Sequence, residues 1–415
     1  MTDTDQAILD TIERRRASLV GLLASAVRAD SSNPPGDTRK VAELIAARLR
    51  ERSIDFQFLA DEPRKPNILA RIGTGAPEVL FTSHMDTVPA GDRRAWRRDP
   101  FSGEVVGTRL YGRGSADAKA SLVAMVGAIE ALIPVLPLHG TLSLTAVSDE
   151  EVGGVKGTEF LVDRGLLRPD HVVVGEITGN HLAVAEKGVV WIRITTHGRA
   201  AHGSTPWEGS NAISHMVRVL SAIEQQVGVQ LKTRSHPLVP PASLSIGTIR
   251  GGIATNVVAD WCEATIDRRT LPGENLPEAI AEIERVLAQL EKEDRTLQTD
   301  VEVLQSGPAL ETSQETHIVR LAQEIARELH LSPDVVGYPQ ASDGRFFAER
   351  GVPTIIVGPG SPEVAHTPDE FVEIDDVLTA AQFYALLAKR MLTEREDAIT
   401  RQHGNAKQST PGPGS

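Results

Sequence analysis

Residues 78–89 read EVLFTSHMDTVP. The apolar run at 79–82 has the composition of a buried strand, and it ends in a polar loop bearing His84 and, two positions on, Asp86. In an extended backbone residues two apart face the same way, so both side chains belong to one side of the chain. The arrangement recurs. LSLTAV (142–147) runs into SDEEVGG with Asp149, Glu150 and Glu151, and HVVV (171–174) runs into GEITG with Glu176. YGRGSADAKAS places Asp117 just before a small-residue apolar helix at 118–133, and a strand at 353–357 precedes AHTPDE with His366. Five candidate metal ligands thus follow strands in chain order: His84, Asp117, one of the pair Glu150–Glu151, Glu176 and His366. Histidine plus carboxylates, without cysteine, is the ligand set of a hydrolytic Zn²⁺ or Mn²⁺ site. A carboxylate left over from ligation can act as a general base, which completes the parts of a two-metal amide hydrolase.

The wider pattern agrees. Val41, Leu44, Ile45 and Leu49 recur at helical spacing ahead of strands at 67–72 and 79–82. This alternation predicts an α/β fold with a mixed, largely parallel sheet flanked by helices. Such sheets place their sites in the loops after the strands. The pattern changes near Lys187: strands are expected at 189–196, 244–250, 257–267 and 299–304, with helices at 211–227 and 276–291. These elements form an α+β insert. The α/β pattern resumes with a helix at 317–330, the strand at 353–357 and a helix at 375–394. The expected domains are therefore 1–187 and 307–395 as two parts of one catalytic domain, interrupted by 188–306, with a disordered polar tail at 396–415.

At 415 residues the chain exceeds the size at which one core stops growing. Lys+Arg 43 against Asp+Glu 56 gives a net charge of −13, which argues against nucleic acid and anionic membrane surfaces as partners. A single cysteine, Cys262, excludes an intramolecular disulfide and fits a reducing compartment. No signal-peptide pattern and no apolar run of membrane-spanning length is present, so a cytoplasmic enzyme is expected.

Each motif also has an ordinary structural account. His84 and Asp86 could be a strand-end histidine and a turn-forming aspartate, and Asp117 could be a helix N-cap. The three consecutive carboxylates at 149–151 could be wet surface. Adjacent side chains diverge, however, so one glutamate can ligate while its neighbour faces the substrate water, with its pKa raised by the like charge beside it. Asp86 could fix the tautomer of His84 or act on a neighbouring group.

Taken together and in order, HMDTVP, GRGSADAK, SDEEVGG, GEITG, GRAAHGSTP, GGIATN, IDRRTLPGE, SDGRFF and AHTPDE resemble the M20 family of co-catalytic metallopeptidases and deacylases. That family includes acetylornithine deacetylase, succinyl-diaminopimelate desuccinylase, aminoacylase-1 and a glutamate-releasing carboxypeptidase. The resemblance implies a zinc-exopeptidase-like catalytic domain with an inserted lid that is also a dimerisation domain, and hence a homodimer. It implies two divalent metals per subunit, zinc with manganese or cobalt as alternatives. His84 and Glu176 would hold one metal, Glu151 and His366 the other, and Asp117 would bridge them ahead of a cis peptide bond to Ala118. Glu150 would be the general base and Asp86 would stand behind the ligands. His202 of the lid would polarise the scissile carbonyl, and Asn256, Arg269 and Arg345 would bind the substrate, with Arg268 competing for the place of Arg269. Two departures from the family pattern are Ala120 after Lys119 and Ile177 after Glu176, the latter a candidate to reshape the pocket wall. The expected reaction is hydrolysis of an N-acyl amino acid. The alternatives are a dipeptidase or carboxypeptidase, and an amidohydrolase of an atypical substrate such as an aromatic amine. A fold-retaining, non-catalytic binding protein would lack a ligand or the base, and neither is missing.

Overall fold

The computed structural model describes residues 1–135 and 138–393, and the expected tail at 396–415 lies outside them. The chain divides into two compact units: Met1–His181 with Glu315–Pro333 and Val357–Ser415, and Leu182–Gln314 with Asp334–Ile356.

The first unit is built on five neighbouring strands in the order Phe56–Leu59, Asn67–Thr74, Gly140–Val147, Glu78–His84 and His171–Val174. The last three are mutually parallel and the first two antiparallel additions, so the sheet is mixed with a parallel centre. Every residue of Gly140–Val147 is buried, as in a strand covered on both faces. The helix Lys119–Leu132, all fourteen residues of which are buried, lies against the neighbouring strand Glu78–His84. It packs against Ile374–Met391 and against Arg16–Arg28. Gly127 lets the latter approach, because a Cβ there would lie 2.9 Å from Leu19. The register decides where function can sit. Thr82 pairs with both Thr145 and Val174, and His84 with Val147. The three parallel strands therefore end level, and the loops carrying His84, Glu150–Glu151 and Glu176 leave from one edge.

The second unit holds a separate antiparallel sheet in the order Ser243–Gly251, Trp261–Thr270, Gly188–His197, Gln298–Gly307. Strand alternation sorts its faces. Val190, Ile192 and Ile194 join Cys262, Ala264 and Ile266 in a core with Met216, Val219, Ile283 and Leu287 from the helices Ala212–Ile223 and Leu276–Glu293. The expected helix at 211–227 ends its α-geometry at Ile223 and continues as one π-turn, Glu224–Gly228. The expected strand at 257–267 starts later, at Trp261. Val257 and Val258 are used elsewhere: Val257 bridges to His202, and Val258 N–H donates to the Ala201 carbonyl at 2.9 Å. Among the described residues no helix is long and apolar enough to cross a membrane.

Candidate metal centre

Asp117 lies at the end of a tight turn. Gly112 at φ 138° and Gly114 at φ 82° occupy backbone conformations that favour glycine, and Asp117–Ala118 is cis. The turn is clamped by Glu370, whose carboxylate accepts the N–H groups of Ala116 (2.9 Å) and Asp117 (3.1 Å) and pairs with buried Arg113 at 2.6 Å. Behind it, the buried Lys119 ammonium donates to the carbonyls of Ala26 and Ala29, and burial pulls its pKa down to about 8.

The two oxygens of Asp117 face different histidines. Oδ1 is 3.2 Å from His84 Nε2, and Oδ2 is 3.2 Å from His366 Nε2. His84 Nε2 also lies 3.8 Å from Glu176, and His366 Nε2 lies 3.3 Å from Glu151. The result is two groups of potential ligands sharing one carboxylate, His84–Asp117–Glu176 and Asp117–Glu151–His366, each with donor atoms within 4.8 Å of one another. Nδ1 of His84 is 2.9 Å from the Asp86 carbonyl and donates to it, which leaves Nε2 as the ligand atom. His–carboxylate sets of this size fit divalent zinc, manganese or cobalt in their donor chemistry. Electrostatics point the same way. Burial disfavours charge on His84, but Asp117, Glu176 and Glu150 outweigh it and raise its pKa well above the ordinary value. Hydrogen bonds to Asp117 and Glu151 raise His366 to about 10. Burial opposes ionisation of Asp117, yet its two histidine partners hold its pKa below the usual carboxylate range. The site is an excess of negative charge that attracts cations.

Glu150 and Glu151 open a short 3₁₀ turn, Glu150–Val152. Glu151 is oriented by Val88 N–H, which donates to its Oε1 at 2.9 Å and leaves Oε2 toward His366. Asp86 is fully buried and does not fix His84 through its carboxylate, whose nearest oxygen is 3.8 Å from Nδ1. The carboxylate instead accepts the backbone N–H groups of Glu150 (3.2 Å) and Glu151 (3.3 Å) and the Asn33 amide (2.8 Å). Asp86 thus makes both contacts open to it, through different atoms: its carbonyl takes the His84 Nδ1–H and its carboxylate takes the Glu150–Glu151 backbone. Ile177 is fully buried. It is a packing residue of the first unit.

In the second unit the structure brings His202 and Asn256 together, since Gly203 N–H donates to the Asn256 carbonyl at 2.8 Å. Ser204 N–H donates to His202 Nδ1 at 3.1 Å, which puts the proton of the neutral ring on Nε2, at the exposed end. Strand alternation sends the adjacent arginines to opposite faces. Arg268 points into the core, 0% exposed, and is bound to Glu274 at 3.0 Å. Arg269 points to the other face, where it meets Asp267 at 2.8 Å. Arg345 is buried, donates to the Ser342 carbonyl at 2.8 Å and lies over the ring of Phe346. Sequence reasoning missed Glu186, the buried acid that anchors this turn by accepting Ser342 N–H (3.0 Å) and Oγ–H (2.6 Å). It also missed Glu370, which sits at the end of the quoted AHTPDE motif, where a second acid invited the question.

Comparison with known proteins follows the same lines. An acetylornithine deacetylase of Salmonella heidelberg (strain SL476) is 33% identical over 324 residues, 77% of this chain and 82% of that one. A tripeptidase structure from Staphylococcus aureus subsp. aureus mu50 superposes with a TM-score of 0.75 at 24% identity, covering 91% of this chain and 98% of that one. A dinuclear metal-binding peptidase of Bacillus subtilis gives 0.67 at 17% identity, covering 92% and 99%. These structural likenesses establish the shared fold. The model of peptidase family M20/M25/M40 matches residues 80–390, so the chain belongs to that family and is a metallohydrolase.

Proposed function

We propose that the protein removes the acyl group from an N-acyl amino acid, releasing a carboxylate and a free amine. The observation that carries this is the shared aspartate: Asp117 presents one oxygen to each of two histidines, with a glutamate on either side and Glu150 next to them. The deacetylase relative at 33% identity supports the acyl substrate over a peptide. Two divalent ions, zinc with manganese or cobalt as alternatives, would be held by His84–Asp117–Glu176 and Asp117–Glu151–His366. When bound, they polarise the scissile carbonyl and acidify water.

The protein's own groups do the rest. Glu150 takes a proton from the attacking water and returns it to the leaving nitrogen. His202, with Nε2–H at its exposed end, is the donor for the carbonyl oxygen as negative charge develops there. Asn256, Arg269 and Arg345 bind the remainder of the substrate, a planar guanidinium being suited to a carboxylate. The segment 188–306 serves as the lid and joins two copies of the chain. Supporting that role, Ser243–Gly251 is an edge strand with Ile249 53% exposed, and the neighbouring helix Ala212–Ile223 exposes Val217 at 58%.

The test is amine release from N-acetyl, N-succinyl and N-formyl amino acids and from dipeptides, before and after chelation and restoration of Zn²⁺ or Mn²⁺. Chelator-sensitive release from one acyl class supports the reading, while release from dipeptides alone moves it to a peptidase. Glu150→Ala should keep its metal and lose about 10³-fold or more in kcat. Near wild-type turnover would remove Glu150 from the role of base.

A further inference from the structure

The turn carrying Glu150 is gripped from behind by side chains that no ligand role uses. Asp149 precedes it at φ 74°, a left-handed conformation uncommon outside glycine. Three donors hold its carboxylate there: Lys65 Nζ and the Asn33 amide (3.2 Å) on Oδ1, and Lys156 N–H (3.2 Å) on Oδ2. The same Asn33 amide donates to Asp86, which in turn receives the N–H groups of Glu150 and Glu151. A continuous path therefore runs from Lys65 through Asp149, Asn33 and Asp86 to the backbone of the base. Three of its members are buried, Asn33 at 3% exposed, Asp86 at 0% and Asp149 at 4%, and Lys65 is half-buried with 12% of its side chain exposed.

The path answers an electrostatic problem. Asp86, Asp149, Glu150 and Glu151 crowd one turn, and like charges in a poorly solvated place repel strongly. The histidines face Asp117, Glu151 and Glu176, so the rear of the turn needs its own cation. Lys65 supplies it to Asp149, while the short contacts of Asp86 are to neutral N–H donors. The segment 31–36 is shaped around this contact. Ser31 Oγ donates to the Met85 carbonyl at 2.8 Å, and Asn33 N–H to the Thr87 carbonyl at 2.8 Å. Gly36, at φ 75°, approaches so closely that a Cβ would lie 2.8 Å from Asn33 Cγ and 2.9 Å from Lys65 Cε.

We propose that Lys65 and Asn33 are positioning residues for Glu150. They hold Asp149 and Asp86 so that the 149–151 backbone, and with it the Glu150 carboxylate, is fixed against the water it deprotonates. The proposal rests on the reading of Glu150 as the general base. Displacement of a reacting group by about 1 Å costs on the order of 10²-fold in rate. Lys65→Met should lower kcat by about 10- to 100-fold with KM and metal content per subunit unchanged, and Lys65→Arg should restore most of it.

The deciding experiment is the cycle of Lys65→Met, Glu150→Ala and the double variant, each with metal content and thermal midpoint measured. Because Lys65 acts through Glu150, the double variant should turn over no more slowly than Glu150→Ala alone. A Lys65→Met protein with wild-type kcat would overturn the proposal. So would one that loses its metal, or one whose defect persists undiminished on top of Glu150→Ala. If Glu150→Ala itself keeps wild-type turnover, the base assignment fails first, and that result is recognisable without Lys65.

Discussion

The two candidate ligand groups share Asp117 but are built differently. His84 ends a central strand, is 1% exposed and has its second nitrogen tied to the Asp86 carbonyl. His366 sits on a surface loop at φ 60°, with 53% of its side chain exposed. One group is thus part of the sheet edge, preformed by strand register. The other is completed by a loop that arrives from the far end of the sequence, anchored by Asp369, whose carboxylate accepts Arg97 N–H at 2.8 Å, and by Glu370. A buried half and a half-exposed half thus meet at one shared carboxylate.

The strongest way to break the comparison is to remove what the halves share. Asp117→Ala should empty both sites, taking metal content from two ions per subunit toward none and kcat down by about 10³-fold or more. Retention of one tightly bound ion, measured by elemental analysis after dialysis, would mean that the halves are independent. The comparison is sharpened by treating the halves separately. His84→Ala deletes a buried ring and strands a carbonyl acceptor, so the metal-free protein should lose about 2–4 kcal/mol of stability. His366→Ala, at a half-exposed position where solvent screens the ring, should lose less than His84→Ala. Equal losses in denaturant melts would erase the distinction.

The smallest expected effect is on protons. Both histidine pKa values are raised above the ordinary 6.5, so in the metal-free protein at neutral pH both rings carry charge that steadies the carboxylates. For a raised pKa the stabilisation is complete below the unfolded value and disappears as pH rises through the folded one. For His366 that window runs from 6.5 to about 10. Metal binding must displace these protons, so affinity should rise with pH across the same window. Calorimetry in two buffers of different ionisation enthalpy at neutral pH should show proton release. Heats that do not depend on the buffer would show rings already neutral.

Much of this was readable from residues, for a physical reason. A candidate ligand placed directly after a buried strand needs only the strand's end to be located, and apolar runs locate it, as at His84, the pair Glu150–Glu151 and Glu176. The choice between Arg268 and Arg269 was not readable until the register was known, because alternation assigns faces only once one residue of the strand is fixed. Asp86 was seen, but its partner was not: the contact to the Glu150–Glu151 backbone joins loops more than sixty residues apart. Lys65 and Asn33 carried no pattern, since a lysine among prolines and an asparagine before two prolines read as ordinary loop.

What the sequence by itself determined is the inventory: which side chains can bind metal, that the pair Glu150–Glu151 offers one acid more than ligation needs, and the alternating strands and helices that bring their loops to one edge. Those properties are local, set by periodicity and side-chain chemistry. Only the tertiary structure decided the pairing: which Asp117 oxygen meets which histidine, which carboxylate the Lys65 ammonium pairs with, and which arginine is spent in the core. Hydrogen bonds and ion pairs between distant segments depend on distances of a few ångströms, and packing of the whole chain sets those distances.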